Sequence, residues 1–151
     1  MARLSFDTPT GPFTLTEENG AIIRAEWGQS GSDETPLLTE AGRQLSEYFA
    51  GTREVFDLPL NVKGSEFQRA VCDAMLAIPL GETRTYGDIA RDLGQSAQAV
   101  GQACGHNPIP VIIPCHRVMG AGGKLTGFSG RGGVETKVWL LRHEHAAGLL
   151  I

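Results

Sequence analysis

Pro110-Val111-Ile112-Ile113-Pro114-Cys115-His116-Arg117-Val118 sets the organisation of this chain. The stretch is apolar and then abruptly polar. Val111 to Ile113 reads as a short buried strand or extended segment. Pro110 and Pro114 forbid helix on either side, because each lacks an N–H and pushes its predecessor into extended backbone. A cysteine and a histidine are thereby expected on stiff backbone at the end of a buried segment, the rigid placement a soft nucleophile needs. A Cys beside a His is common by itself, and a free Cys is often simply buried. Neighbours in extended backbone also point to opposite sides, so His116 is not expected to touch the Cys115 sulfur directly.

The composition sets the frame for that pair. At 151 residues with 41% apolar content, the chain can form one full domain or two small ones. No apolar run reaches the length of a membrane span, and Met1 to Asp7 holds no signal-peptide core. Cys72, Cys104 and Cys115 form neither a disulfide framework nor a CxxC pair. A cytoplasmic, reducing setting fits, where a reactive thiolate survives. The net charge of −4 is unevenly spread. Residues 1–60 carry 4 Lys and Arg against 10 Asp and Glu, a net −6, whereas residues 61–151 carry 9 against 7, a net +2. The second part allows phosphate contacts without demanding them, and the salt dependence of any nucleic-acid binding is expected to be modest.

Upstream, Pro12 to Thr16 and Ala21 to Trp27 alternate apolar and polar around Asn19-Gly20, a strong hairpin signal. Leu37 to Phe49 reads as a helix stopped by Gly51, and Val55 to Leu60 as a strand leaving this first unit. No ligand cluster or phosphate loop stands out there. From Asn61 the character changes. Ser65 with Gln68 makes a capping-box start, and Phe67, Ala70, Val71, Ala74, Met75 and Ile78 keep helical spacing up to Pro79.

Thr85 to Leu93 reads as a short helix ending at Gly94, and Ser96 caps a second helix over Ala97 to Ala103. A small Ala90, a turning Gly94 and a buried Val100 suit a helix-turn-helix. The second helix is nearly bald: Ala97, Gln98, Ala99, Gly101 and Gln102 offer few long side chains to read base edges. Such a helix suits close approach to nucleic-acid backbone or a narrower groove, or else packing against its own protein. Seven of the fifteen residues from Met119 to Gly133 are glycine, without a P-loop motif, and suggest a pocket wall. Val134 to Ala147 reads as a closing helix with Val134, Val138, Leu141 and His145 on one face. Glu144 can reach inward from its end.

Taken in this order, Tyr86, the bald helix, Asn107, Pro114-Cys115-His116-Arg117-Val118, the glycine-rich loop and His143-Glu144 resemble the O6-alkylguanine-DNA alkyltransferases, single-use DNA-repair proteins. The likeness covers residues 61–151. Residues 1–60 resemble the family's N-terminal domain. The resemblance implies an α/β (α+β) fold, with a small RNase H-like domain over 1–60 and a mostly helical DNA-binding and alkyl-acceptor domain over 61–151. It implies that Cys115 accepts the alkyl group, that His116 acts through a water as base, and that Glu144 orients His116. Asn107 would brace the active-site turn, and Tyr86 would donate a hydrogen bond to the departing guanine. Val118, Phe128 and Ser129 would line the base pocket. Ser96, Ala97, Gln98, Ala99, Gly101 and Arg117 would face DNA. The implied partner is double-stranded DNA carrying O6-alkylguanine, or O4-alkylthymine, gripped in the minor groove with the damaged base flipped out. A monomer is implied, with no membrane, metal or cofactor.

Two departures from the family pattern bear on rate. Gln98 stands where an arginine usually fills the gap left by the flipped base, which predicts slower or weaker flipping. Phe128 stands where Tyr is frequent and lacks one hydroxyl. Three other readings compete. A non-enzymatic alkyltransferase-like lesion binder is disfavoured by Cys115. A cysteine hydrolase would not need the second-helix pattern, and a transcription regulator would need a sensor or a dimer.

Overall fold

A computed structural model of the chain describes residues 1–125 and 133–146. The chain divides into two compact units, Met1–Lys63 and Gly64–Ile151. The first is a three-stranded antiparallel sheet, β1 (Ala2–Thr8), β2 (Gly11–Glu18) and β3 (Ala21–Trp27), in that spatial order. It carries one helix, α1 (Pro36–Phe49). The β2–β3 turn is the expected one, with Asn19 and Gly20 both at positive φ. β1 was not among the expected elements, although Leu4 and Phe6 pair with Leu15 and Phe13 across the sheet. The central strand β2 is buried over Phe13 to Thr16, and α1 contributes Leu38, Ala41, Leu45 and Tyr48 to the same core. Close approach of α1 to β1 depends on Gly42, where a Cβ would stand 2.1 Å from the Phe6 ring.

Val55 to Leu60 is not the expected strand. It meets β3 only at Leu60, through Ile22 N–H to the Pro59 carbonyl at 2.9 Å and Asn61 N–H to the Ile22 carbonyl at 2.9 Å. The Gln44 side chain on α1 takes both backbone groups of Asp57, which removes them from any ladder.

The second unit is mostly helical. α2 (Glu66–Leu76) starts at Ser65, whose hydroxyl accepts from Gln68 N–H at 3.0 Å. The capping box is only half made, because the Gln68 amide instead reaches the Ala103 carbonyl at 2.8 Å. A two-residue strand β4 (Arg84–Thr85) leads into α3 (Tyr86–Leu93). Here the capping box is complete: the Thr85 hydroxyl accepts from Asp88 N–H, and the Asp88 carboxylate accepts from Thr85 N–H. Gly94 closes the helix at φ 65°, a left-handed conformation that costs a residue without Cβ little. α4 (Ala97–Gly105) follows, capped by Ser96, and packs on α3 with Ala90 and Val100 buried. This is the expected helix-turn-helix.

The last elements are β5 (Val118–Met119), parallel to β4, and α5 (Val134–His143). α5 is shorter than expected and buries a different face. Thr136, Lys137, Leu140 and Leu141 point inward, whereas Val134 is 44% exposed and His145 lies beyond the helix end. Among the described residues, no helix is long and apolar enough to cross a membrane.

Candidate active site

Val111 to Ile113 is buried, but it is a tight loop rather than a strand. Ile113 N–H donates to the Ile109 carbonyl at 2.8 Å, and Val111 is driven to φ 73°. A β-branched residue there costs on the order of 1–3 kcal/mol and persists only where its surroundings impose it. Asn107 imposes it. Its amide donates to the Ile113 carbonyl at 2.8 Å, and its oxygen accepts from Ile109 N–H at 3.0 Å.

From this braced loop the chain turns sharply. Cys115 N–H donates to the Ile113 carbonyl at 2.8 Å across Pro114, an inverse γ-turn. Cys115, His116 and Arg117 then form one 3₁₀ turn. The expectation of extended backbone at Cys115-His116 is corrected accordingly. Successive side chains leave a 3₁₀ turn about 120° apart, so the two still do not face each other. The parallel pairing of Arg84 with Val118 and Thr85 with Met119 ties this turn to the start of α3, where Tyr86 stands.

His116 is fully buried, and its Nε2 lies 2.6 Å from Oε2 of Glu144, the residue that caps α5. Burial pushes the imidazole below its ordinary value, with the Glu144 carboxylate opposing, so the ring is neutral at pH 7. Nε2–H then donates to Glu144, leaving the Nδ1 lone pair as an acceptor. Nδ1 is buried and has no hydrogen-bond partner among the described residues. Burial raises the Glu144 carboxyl, but the hydrogen bond from His116 together with the hydrogen bonds and charge of Arg117 outweigh it and hold the group at about 2.

Arg117 is the main correction to the expected site. Its guanidinium cannot serve DNA, because it is 7% exposed and bound inward. Nε donates to Glu144 Oε1 at 2.8 Å, Nη2 to Oε2 at 3.0 Å and Nη1 to the Ile78 carbonyl at 2.7 Å. A bidentate arginine–carboxylate pair of this kind is strong and directional.

Cys115 is partly accessible, unlike Cys72 and Cys104. Burial pushes its thiol up, whereas a hydrogen bond from Asn107 and the positive charge of Lys137 favour the thiolate. Lys137 escaped the sequence reading. Its signal was its spacing seven residues before Glu144, which places both on the buried face of α5. Val118 is buried, its N–H donating to the Cys115 carbonyl and its own carbonyl accepting from Lys137 Nζ at 2.6 Å. Phe128 and Ser129 lie outside the described residues. Among the described residues, no group of His, Cys, Asp and Glu could hold a metal ion.

A cleft of about 560 Å³ opens beside Tyr86, lined by Thr85, Gly87, Ala97, Gln98, Gly101, Gln102 and Ala121. Cys115 does not line it. Ser96, Ala97 and Gln98 are exposed and Ala99 is half-buried. A Cβ built on Gly101 would meet nothing within 4 Å. At Gly101, packing against its own protein therefore does not explain the bald helix.

Two family models account for nearly the whole chain. Residues 66–146 match the 6-O-methylguanine DNA methyltransferase DNA-binding domain, and residues 1–62 match its ribonuclease-like domain. The chain belongs to the 6-O-methylguanine DNA methyltransferase family. Family relatives include the methylated-DNA–protein-cysteine methyltransferase of Methanosarcina acetivorans, 43% identical over 92% of this chain and 95% of the relative. The constitutive enzyme of Bacillus subtilis is 42% identical over 91% of this chain and 92% of its own. Within the family, a crystal structure of Mycobacterium tuberculosis OGT in complex with DNA superposes with a TM-score of 0.87. It is 41% identical and covers 96% of this chain and 93% of that one.

Proposed function

We propose that Cys115 is the alkyl acceptor of a single-turnover reaction on O6-alkylguanine in double-stranded DNA. The chain repairs DNA by moving an alkyl group onto its own cysteine, the activity its relatives are named for. The buried His116–Glu144 pair carries the assignment to this cysteine. It fixes a neutral imidazole with one free lone pair on the turn that bears the thiol. His116 takes the Cys115 proton through one water molecule. The sulfur then forms its bond to the alkyl carbon as the carbon–O6 bond breaks, and guanine leaves with the electron pair. Tyr86 donates a hydrogen bond to the leaving base, which takes up one proton from solvent to become guanine, while His116 releases the thiol's proton back to water. The thioether product is neutral and inert, so each molecule acts once. O4-alkylthymine presents the same soft carbon on an exocyclic oxygen and is accepted by the same chemistry.

The exposed face of α4 suits the minor groove, since its small residues let the helix approach backbone and sugar while the base is flipped out. Residues 1–60 support this machinery, and residues 61–151 bind DNA and accept the alkyl group. The protein works as a monomer in the cytoplasm. A Cys115→Ser variant is expected to bind an O6-methylguanine duplex with wild-type affinity and to restore no guanine, scored by recovery of a restriction site at the lesion. Guanine restored by that variant contradicts the assignment. Gln98 is exposed on the cleft and lacks the charge and plane of arginine. Gln98→Arg is expected to raise the single-turnover rate several-fold, and an unchanged rate removes Gln98 from the flipping step.

A further inference from the structure

We propose that Gln102 is a specificity-determining residue for repair: its amide reads the minor-groove edge of a base pair flanking the lesion and favours G·C over A·T there. The inference rests on α4 facing the minor groove, and it adds a sequence preference that base flipping and alkyl transfer do not themselves require. Gln98 and Gln102 stand at i and i+4 on α4, so their side chains share one face, and both are exposed. Both line the cleft beside Tyr86. They are the long side chains of a helix otherwise built from Ala, Gly, Val and Cys. Gly101, which lines the same cleft, is in the helix interior, where alanine would make the better helix. Its φ is not left-handed, and a Cβ built on it would meet nothing within 4 Å. Neither backbone geometry nor packing among the described residues asks for glycine there, whereas close approach of a duplex to α4 does. That approach brings the Gln102 amide within reach of the groove floor.

A primary amide suits that position chemically. In the minor groove an A·T pair in either orientation shows only the acceptors adenine N3 and thymine O2, whereas G·C adds the guanine N2 amino donor. Gln102 Nε2 donates to an N3 or O2 acceptor of any pair. Its Oε1 finds a donor only on G·C, where the amide closes a second hydrogen bond. The side chain is uncharged, so it follows the base edge rather than the phosphates. Four residues of helix rise about 6 Å, against about 3.4 Å for each stacked base pair. With Gln98 at the gap left by the flipped base, Gln102 falls within about two base pairs of the lesion. It takes no part in the transfer itself, and no covalent bond to it forms or breaks.

The test uses the full chain as wild type and Gln102→Ala. Single-turnover methyl transfer at subsaturating protein is followed on O6-methylguanine duplexes whose two neighbouring pairs on each side are G·C or A·T. Neighbouring sequence changes flipping by itself, so the quantity read is the G·C to A·T rate ratio of wild type against that of the variant. At the pair Gln102 reaches, the wild-type ratio is expected to exceed the variant's by about fivefold. Gln102→Ala is expected to melt no lower than wild type, because alanine is the better helix former. Inosine in place of the flanking guanine removes the N2 amino group and is expected to take the wild-type rate down towards its A·T value. 2,6-Diaminopurine in place of the flanking adenine adds that group and is expected to raise it. 7-Deazaguanine, which alters the major-groove edge, is expected to change nothing. Equal ratios in wild type and Gln102→Ala overturn the inference, as does a wild-type preference that survives inosine. A preference lost with 7-deazaguanine rather than inosine overturns both the inference and the minor-groove reading on which it rests. Wild type that transfers no methyl from any of the duplexes contradicts the alkyl-acceptor assignment, and the inference falls with it.

Discussion

Replacing Glu144 with alanine is expected to remove about 3–5 kcal/mol of folding free energy and to abolish repair. The carboxylate is 2% exposed and holds two buried partners at once. Without it Arg117 keeps, among the described residues, only the Ile78 carbonyl, with no described anion beside its charge. Breaking a buried pair from one side is costly for that reason. Glu144→Gln retains one acceptor oxygen and is expected to lose less stability. Acid gives an independent check. The folded carboxyl lies at about 2 against an ordinary 4.5, so the unfolded chain binds the proton first as pH falls. The stabilisation from Glu144 is full above pH 4.5 and declines as pH drops towards 2. Urea denaturation of wild type and Glu144→Gln between those limits should converge. A constant gap across that window, or an alanine variant within 1 kcal/mol of wild type, contradicts this role for Glu144.

His116→Ala separates chemistry from folding. Glu144 retains its bidentate Arg117 partner, so the variant is expected to fold, while single-turnover methyl transfer slows by about 10²–10⁴-fold, the usual contribution of a positioned base. The pH dependence should change as well. Without an internal acceptor the thiol must lose its proton to solvent, so the residual rate should climb steadily as pH rises. Rapid-quench kinetics on an O6-methylguanine duplex read both effects. A wild-type rate at pH 7 would make His116 a packing residue.

How much of this could be read from the sequence depended on the range of the interaction that decides each element. The Asn19-Gly20 hairpin, the Gly94 stop of α3 and the Ser96 cap of α4 rest on contacts a few residues apart, and they were legible. The segment Val111 to Ile113 was not. An apolar run between prolines signals burial, but its shape depends on the Asn107 side chain reaching Ile113. Val55 to Leu60 failed as a strand because Gln44, far upstream, takes the Asp57 backbone. The site divided in the same way. Cys115, His116, Asn107 and Glu144 were carried by the family resemblance. Arg117 was assigned to the DNA-facing surface and Lys137 was overlooked, since long cations normally reach water. Their burial follows from tertiary partners, Glu144 for one and the Val118 carbonyl for the other, that no local pattern announces.

The most direct measurement is a titration of the protein with a duplex bearing one O6-methylguanine, read by intact mass and peptide mapping. The expected result is a gain of one methyl per molecule that saturates at one equivalent of lesion, all of it on Cys115, with Cys72 and Cys104 unmodified. Repeated turnover without a mass gain, a methyl on either buried cysteine, or lesion binding with no transfer would contradict Cys115 as the alkyl acceptor.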